Sequence, residues 1–353
     1  MKKTLSTLGL CMGLAVAASS AEAQLAGKNV ILVHGFQSYQ IKDKPDAPAL
    51  QDNANRYWSG YWGSRAERAF YWSSAERLSG GIKDQIREQV LDTARSGLCA
   101  AGCVVVTHST GDLVTRYMLK NLNNWLSSAG LPANSFQVLA TLDFAGAGGG
   151  TEIADIAVGI SEGSGIINSI QKWAVELFMG FRPEQGQVGV LYDLQPNTAR
   201  NSAIFNGPVP RLRFAGTGSS NGGVTKPFIA GADDGVVPLH SACGAASKGD
   251  YDSCSSAIQP NGVLTSVSKA PSSLWYNHYA VLMGENTNHG QAISSDTSGN
   301  MATVTNNTTK GGLNIDFNDY TEAKWWSWWK KVRWVRNGDQ YSMSDNVYRT
   351  LNN

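Results

Sequence analysis

The stretch that decides the fold is CVVVTHSTGDLVTRY, residues 103–117. Its valines at 104–106 form a short β-branched run, residues 107–111 suit a tight polar turn, and apolar side chains then return at helical spacing. The stretch therefore predicts a strand, a sharp turn and a helix. Such a turn lifts the side chain of Ser109 clear of the sheet. It also places Ser109 beside the free N–H groups of the helix, which can stabilise a negative oxygen.

The spacing of this turn is similar to the Gly-x-Ser-x-Gly nucleophile elbow of the α/β-hydrolases, although Thr107 stands where the motif has its first Gly. The resemblance implies an α/β-hydrolase fold, with a mostly parallel central sheet flanked by helices, and Ser109 as the catalytic nucleophile. Asp112 stands where the family commonly has a further Gly, and we expect it to pair with Arg116 one helical turn on. The alternative is an ordinary strand–helix connection with an incidental serine.

The first 23 residues have the pattern of a secretory signal peptide of Gram-negative type. They contain Met-Lys-Lys, an apolar stretch from Leu8 to Ala18, and the small-x-small signal Ala21-Glu22-Ala23 before Gln24. The apolar stretch is shorter than a membrane span. We therefore expect residues 1–23 to be removed, the protein to be secreted through the periplasm, and residues 24–353 to form a single α/β-hydrolase domain.

The charge balance constrains the partners. Without Lys2, Lys3 and Glu22, the 29 basic and 28 acidic residues of the whole chain become 27 of each. A chain with no net charge has no general attraction for nucleic acid or strongly anionic surfaces. We therefore expect a neutral substrate and no nucleic-acid partner.

Four cysteines follow the signal segment, and in an exported protein an even number implies disulfides. Three pairings are possible, of which the sequence-local pairs Cys99–Cys103 and Cys243–Cys254 are the most economical. Metal binding is the alternative, but no histidine stands at ligand spacing from either pair.

The residues from Lys28 to Val33 form a β-rich run that ends in His34-Gly35-Phe36. This resembles the first core strand and the His-Gly-x loop of the lipase branch of the family, where the residue after Gly contributes its backbone N–H to the oxyanion hole. The resemblance implies that Phe36 is one oxyanion donor and that Thr110, directly after the serine, is the other. His34 is expected to brace the loop rather than to react.

The catalytic acid and base are assigned by the same resemblance. A carboxylate just before Gly-Val-Val-Pro is the usual triad acid, which points to Asp234, with Asp233 and Asp143 as alternatives. The segment WYNHY, residues 275–279, resembles the one that carries the catalytic histidine, so His278 is the expected base and His289 its rival. The order serine, aspartate, histidine is that of the α/β-hydrolases.

Two further segments carry expectations. Residues of about 150–182 are inserted between core strands and have apolar side chains at helical spacing, so they suit either a lid or a helix packed permanently on the core. Residues 291–312 are rich in Ser, Thr, Asn and Gly and are expected to form a long loop or a small hairpin. Within the C-terminal extension, 291–353, a Trp-rich helix is expected to dock through Trp325, Trp329, Val332 and Val335.

Taken together, residues 29–290 resemble the Gram-negative triacylglycerol lipases in the order of their motifs. The resemblance implies a secreted serine hydrolase that cleaves carboxylic esters, such as acylglycerols or other neutral lipid esters, through an acyl-enzyme and with transient contact with a lipid interface. Alternatives are a polyester depolymerase, an amidase, or a non-catalytic lipid-surface binding protein on the same fold. Tyr279-Ala280-Val281 lacks the Asp that ligates calcium in those lipases, so neither a structural calcium ion nor a cofactor is expected.

Overall fold

The computed structural model describes residues 24–164, 167–203, 206–220, 223–248, 254, 263–264, 274–303, 307–324 and 327–353. The expected signal peptide, residues 1–23, lies outside them. In the described part of the chain, no helix combines the length and the apolar character needed to cross a bilayer.

Strands and helices alternate along most of the chain. In order they are β1 (Gln24–Leu25), β2 (Lys28–Val33), α1 (Gln40–Asp43), α2 (Ala47–Tyr57), β3 (Arg68–Phe70), α3 (Lys83–Ser96), β4 (Cys103–His108), α4 (Gly111–Ser128), β5 (Val138–Phe144), α5 (Glu152–Glu162), α6 (Ser169–Met179), α7 (Pro196–Ser202), β6 (Arg211–Gly216), α8 (Leu239–Ala242), β7 (Val263–Leu264), β8 (His278–Gly284), β9 (Met301–Thr303), β10 (Asn307–Lys310), β11 (Leu313–Asp316), β12 (Asp319–Lys324), β13 (Ser327–Val335) and α9 (Met343–Asn352).

The middle of the central sheet is parallel. Its strands lie in the order β3, β2, β4, β5, β6, β8, and every neighbouring pair in that series is parallel. Strands β9, β13 and β12 extend the sheet with antiparallel pairing. The predicted α/β fold class with a mostly parallel sheet is therefore confirmed. Since parallel strands have their carboxyl ends at one edge, the segments that follow β2, β4, β6 and β8 meet there.

Both faces of the sheet are covered. Successive strand residues point to opposite faces, and Val104 and Val106 accordingly belong to one buried cluster while Val105 belongs to the other. Helices α3 and α4 pack on the face of Val105, and α9 packs on the opposite face. The expected disulfides are both present, Cys99 with Cys103 and Cys243 with Cys254.

The inserted segment forms α5 and α6 between β5 and β6. Helix α5 buries one apolar side against the core. Helix α6 buries Ala174, Val175 and Met179 but leaves Ile170, Trp173 and Leu177 exposed by 59%, 51% and 41%.

The prediction of a Trp-rich C-terminal helix is wrong. Residues 327–335 form strand β13, which pairs with β12 on one side and with β7 and β9 on the other; residues 325–326 lie outside the described residues. Aromatic and β-branched side chains favour a pleated strand, and β13 has neighbouring strands on both sides. The helix of this extension is α9 instead. Of the segment expected to be a long loop or a small hairpin, residues 291–312, β9 joins the central sheet and β10 pairs with β11, which lies beyond the segment.

Candidate active site

Ser109 stands in a strained turn between β4 and α4. Its φ is +55°, a left-handed conformation that is costly for a residue other than Gly and that tight packing must maintain. That packing comes from two glycines. A Cβ on Gly111 would lie 2.2 Å from the carbonyl oxygen of Val33, and one on Gly35 would lie 2.7 Å from Cβ of Ser109. The loop after β2 therefore lies directly against the serine.

The side chain of Thr107, at the position where the expected elbow motif has its first glycine, has a buried partner. The Thr107 hydroxyl donates to Oδ1 of Asp143 at 2.7 Å. Asp143 also accepts from Thr141 and from Arg211 and Arg213. Burial raises the pKa of Asp143, but the two guanidinium groups more than offset this and hold that pKa well below its ordinary value. Asp143, an alternative for the acid, is therefore committed to a buried ion cluster inside the sheet.

Asp112 belongs to the same cluster, so the expected pair with Arg116 is wrong. The Asp112 carboxylate lies 2.9 Å from Arg211 and 2.8 Å from Arg213, and it also accepts from the amide of Gly148 at 2.8 Å. Arg116 instead donates to the Gly148 carbonyl and lies over the ring of Trp275, 3.7 Å from its centroid. Two cations from β6 offer Asp112 closer partners than its own helix does.

Asp234 lies in the turn after β6 and is buried, with 1% of its surface exposed. Its Oδ1 accepts from the amides of Val236 and Val237 at 3.0 and 2.7 Å, which fixes the carboxylate in the turn. Its Oδ2 lies 2.8 Å from Nδ1 of His289. The amide of His289 also donates to the carbonyl of Asp234 at 3.0 Å. Side chain and backbone thus hold the imidazole against the carboxylate.

The expectation that His278 partners Asp234 is wrong. His278 is the first residue of β8, in register with Arg211 at the amino end of β6, so it stands at the opposite edge of the sheet from Ser109. Six residues of strand separate it from the carboxyl end, or about 20 Å. Its Nδ1 faces the carbonyl of Tyr276, and its Nε2 has no partner among the described residues. His289, the rival, follows the carboxyl end of β8 and meets Asp234.

Asp233, the other alternative for the acid, has a different role. Its Oδ1 accepts from the amide of Gly235 at 2.7 Å, and its Oδ2 is buried with no partner among the described residues. Burial raises the pKa of Asp233 to about 6, and the neighbouring charge of Asp234 contributes to this rise. Asp233 therefore shapes the turn, while Asp234 meets the histidine.

His108 links the loop that carries His289 to the strand that ends just before Ser109. His108 directly precedes Ser109, its Nε2 lies 2.9 Å from the carbonyl of His289, and the two imidazole centroids are 4.5 Å apart. No hydrogen bond joins the Ser109 hydroxyl to His289 in the part of the chain that the structure describes. Catalytic hydrogen bonds of this kind often form only with substrate in place. The Nδ1 bond to Asp234 leaves Nε2 of His289 as the ring nitrogen that can receive a proton.

The two expected oxyanion donors flank the serine. Phe36 follows Gly35 in the loop packed on Ser109, and Thr110 follows Ser109 at the start of α4. The ring of Phe36 stacks on Phe178 of α6, with centroids 5.6 Å apart. The inserted helix therefore touches the loop that carries one of the expected donors. His34 braces this loop, stacked on Trp72 and turned toward the carbonyl of Gly35.

Sequence reasoning missed the contact between Tyr57 and His108. The Tyr57 hydroxyl contacts Nδ1 of His108, 51 residues away. In the sequence, Tyr57 is one of four aromatic residues in a short segment that suits ordinary packing, and nothing there singles out its hydroxyl. Over the described residues, no group of three or more His, Cys, Asp or Glu side chains is placed to hold a metal ion.

No protein-family model and no curated protein sequence matches the chain. Among solved structures it is similar to mature Bacillus licheniformis lipase BlEst2, with 13% identity, a TM-score of 0.42, and coverage of 75% of this chain and 86% of that one. It is also similar to Staphylococcus hyicus lipase, with 11% identity, a TM-score of 0.39, and coverage of 77% and 90%. A third similar structure is a metagenomic carboxyl esterase, with 18% identity, a TM-score of 0.37, and coverage of 62% of this chain and 61% of that one. Similarities of this size assign no activity to the chain.

Proposed function

We propose that this protein is a serine hydrolase that cleaves carboxylic esters, with Ser109, His289 and Asp234 as its catalytic triad. The observation that carries the proposal is the 2.8 Å contact between Asp234 and His289, in the loop that His108 joins to the strained Ser109 turn. These three residue types, in this chain order and at one edge of a parallel sheet, have the roles of nucleophile, base and acid in acyl transfer.

The proposed reaction starts when the Ser109 hydroxyl attacks the ester carbonyl carbon. Its proton passes to Nε2 of His289, and Asp234 stabilises the resulting imidazolium through Nδ1. The amides of Phe36 and Thr110 would stabilise the oxyanion, where one donor is typically worth about 3 kcal/mol. Collapse of the intermediate breaks the bond to the alcohol oxygen, which takes the proton from His289. Water then hydrolyses the acyl-enzyme by the same steps, and no cofactor takes part.

Hydrolysis of p-nitrophenyl esters of increasing chain length tests this proposal, with wild type compared with Ser109→Ala. We expect the variant to lose turnover and to keep nearly the same melting temperature, because the substitution removes one oxygen that has no hydrogen-bond partner among the described residues. A fluorophosphonate probe should label the wild type at Ser109 and leave the variant unlabelled. Turnover retained by Ser109→Ala would show that Ser109 is not the nucleophile.

Lipid esters are the substrate class that we propose within this reaction. The three exposed apolar side chains of α6, Ile170, Trp173 and Leu177, form a stripe at helical spacing. The same helix reaches the oxyanion loop through the stacking of Phe178 on Phe36. Exposed apolar stripes of this kind suit a lipid surface. An emulsified substrate that gives no higher rate than a dissolved one would favour a simple esterase instead.

We also propose that the protein works outside the cytoplasm. The two disulfides support this location, because reducing compartments rarely sustain such bonds. Detection of the mature protein in a cell-free culture medium, with an amino terminus near Gln24, tests it.

A further inference from the structure

Tyr57 and His108 connect α2 with two segments that the proposed reaction needs, the loop that carries His289 and the oxyanion loop, residues 34–36. The hydroxyl of Tyr57, the last residue of α2, lies 2.5 Å from Nδ1 of His108. Nε2 of His108 lies 2.9 Å from the carbonyl oxygen of His289. The two contacts use opposite nitrogens of one buried ring, which therefore bridges α2 and the loop that carries His289.

Chemistry fixes the direction of each hydrogen bond. A carbonyl oxygen can only accept, so Nε2 of His108 carries the proton. Burial, with a smaller contribution from the neighbouring imidazole of His289, holds the pKa of His108 well below its ordinary value, so the ring is neutral. Its Nδ1 is then an acceptor, and the hydroxyl of Tyr57 donates to it. Tyr57 thus selects the tautomer that can hold the His289 carbonyl.

The third segment is the oxyanion loop. A Cβ on Gly35 would lie 2.4 Å from the hydroxyl oxygen of Tyr57 and 2.7 Å from Cβ of Ser109. Burial raises the pKa of Tyr57, and a backbone hydrogen bond from Gly35 opposes that rise. The phenol oxygen therefore contacts the loop before Phe36 as well as His108.

We propose that His108 and Tyr57 are positioning residues that hold the backbone of His289 so that its imidazole faces Ser109. This inference rests on the proposed function, because the position of His289 matters to turnover only if His289 is the base. The backbone of His289 has one anchor at its amide, which donates to Asp234, and a second at its carbonyl, which accepts from His108. Losing the second anchor leaves the imidazole free to shift.

Tyr57→Phe tests the bridge through His108. Without the hydroxyl, the buried Nδ1 of His108 loses its donor, so one hydrogen bond instead of two holds the ring against the carbonyl of His289. A base misplaced by about 1 Å can lose about 100-fold in rate, so we expect kcat to fall by roughly 10- to 100-fold while KM stays within about twofold. Tyr61→Phe is the matched control, because the Tyr61 hydroxyl donates to Asp345 at 2.9 Å, away from Ser109. Its kcat should equal that of wild type.

His108→Gln and His108→Leu test the anchor itself. The side-chain amide of Gln can donate to the carbonyl of His289, whereas Leu fills similar space without a donor. Measured on p-nitrophenyl butyrate, kcat of the Gln variant should exceed that of the Leu variant by about tenfold, with similar KM. Equal kcat in these two variants, or a wild-type kcat in Tyr57→Phe, would overturn the inference. Failure of the proposed function would look different, because the wild type itself would neither hydrolyse the ester nor react with a fluorophosphonate.

Discussion

Nδ1 of His289 donates to Oδ2 of Asp234 at 2.8 Å, and both residues follow the carboxyl ends of strands in one parallel sheet. The bond fixes the imidazole tautomer and leaves Nε2 as the ring nitrogen that can accept a proton. The carboxylate is itself fixed by two backbone amides, so it can orient the ring without moving. The two residues are the base and the acid of the proposed reaction. Their contact is the reason why His289, and not His278, is proposed as the base.

Replacing each histidine by Asn should give opposite results. His289→Asn removes the proposed base, and we expect kcat to fall by roughly 10⁴-fold or more, as for loss of a triad member. In His278→Asn the amide can still donate to the carbonyl of Tyr276, and the site is about 20 Å away, so kcat should stay within about twofold. Steady-state hydrolysis of p-nitrophenyl butyrate measures both. Wild-type turnover in His289→Asn would exclude it as the base.

Replacing Asp233 or Asp234 by Asn should also have different effects on kcat. Asp234→Asn should lower kcat by about 10⁴-fold, because it presents the wrong tautomer to the reaction. Asp233→Asn should keep turnover, because its amide oxygen can still accept from Gly235.

The same Asp233→Asn variant should change stability in a pH-dependent way. The pKa of Asp233 is raised from 3.8 to about 6 in the folded protein, so its ionisation opposes folding, and this cost grows as the pH rises from about 4 to 6. The variant should therefore be more stable than wild type at pH 7, by roughly 2–3 kcal/mol, and equal to it near pH 4. Urea unfolding at the two pH values measures this, and an equal difference at both would contradict it.

Much of the fold is encoded locally, which explains why the sequence predicted it. Strand β4, the turn at Ser109 and helix α4 follow from a β-branched run, a polar turn and helical spacing within 15 residues. The Asp234 turn is similarly local, because its carboxylate caps the amides of Val236 and Val237 two and three residues on. The disulfide pairs are also close in sequence.

The parts that sequence reasoning missed depend on contacts between distant segments. His278 and His289 lie on the same strand–loop unit, and which of them meets Asp234 depends on which end of β8 reaches the carboxyl edge. The tryptophans of β13 suit a helical face as well as a strand, and the neighbouring strands decide in favour of a strand. Asp112 has a suitable partner on its own helix, but Arg211 and Arg213 are brought to it only by folding.

Thr107→Val should destabilise the protein without slowing the proposed reaction. The substitution removes one hydrogen bond from the buried carboxylate of Asp143 and keeps the size of the side chain. A hydrogen bond to a charged group is worth about 1.5–3 kcal/mol, and we expect a loss in the free energy of unfolding of this order. Thr107→Ser, which keeps the hydroxyl, is the control. A Val variant as stable as the Ser variant would show that Asp143 does not need this donor.

The protein should lose stability in acid through its buried neutral histidines. Burial lowers the pKa of His34 from 6.5 to about 4, so the unfolded chain binds a proton at this position more readily than the folded one. The resulting stability is complete above about pH 6.5 and is lost as the pH falls toward 4; between pH 7 and pH 5 it amounts to about 2 kcal/mol. His34→Gln should flatten this part of the pH dependence, as measured by urea unfolding. An unchanged slope would mean that His34 is not its source.

The exposed stripe of α6 should matter for substrate at an interface and not for substrate in solution. Trp173→Gln and Leu177→Gln reduce the apolar surface that α6 can offer a lipid, and each buried apolar side chain is worth about 1.5–3 kcal/mol. We expect the double variant to lose about tenfold or more of its rate on emulsified triacylglycerol and to keep its rate on dissolved p-nitrophenyl butyrate. Tyr276→Gln is the matched control, because Tyr276 is 65% exposed but lies at the opposite end of β8 from His289. Equal losses on both substrates would mean that α6 supports the active site itself, through the contact of Phe178 with Phe36, and that its outer stripe has no role at a lipid surface.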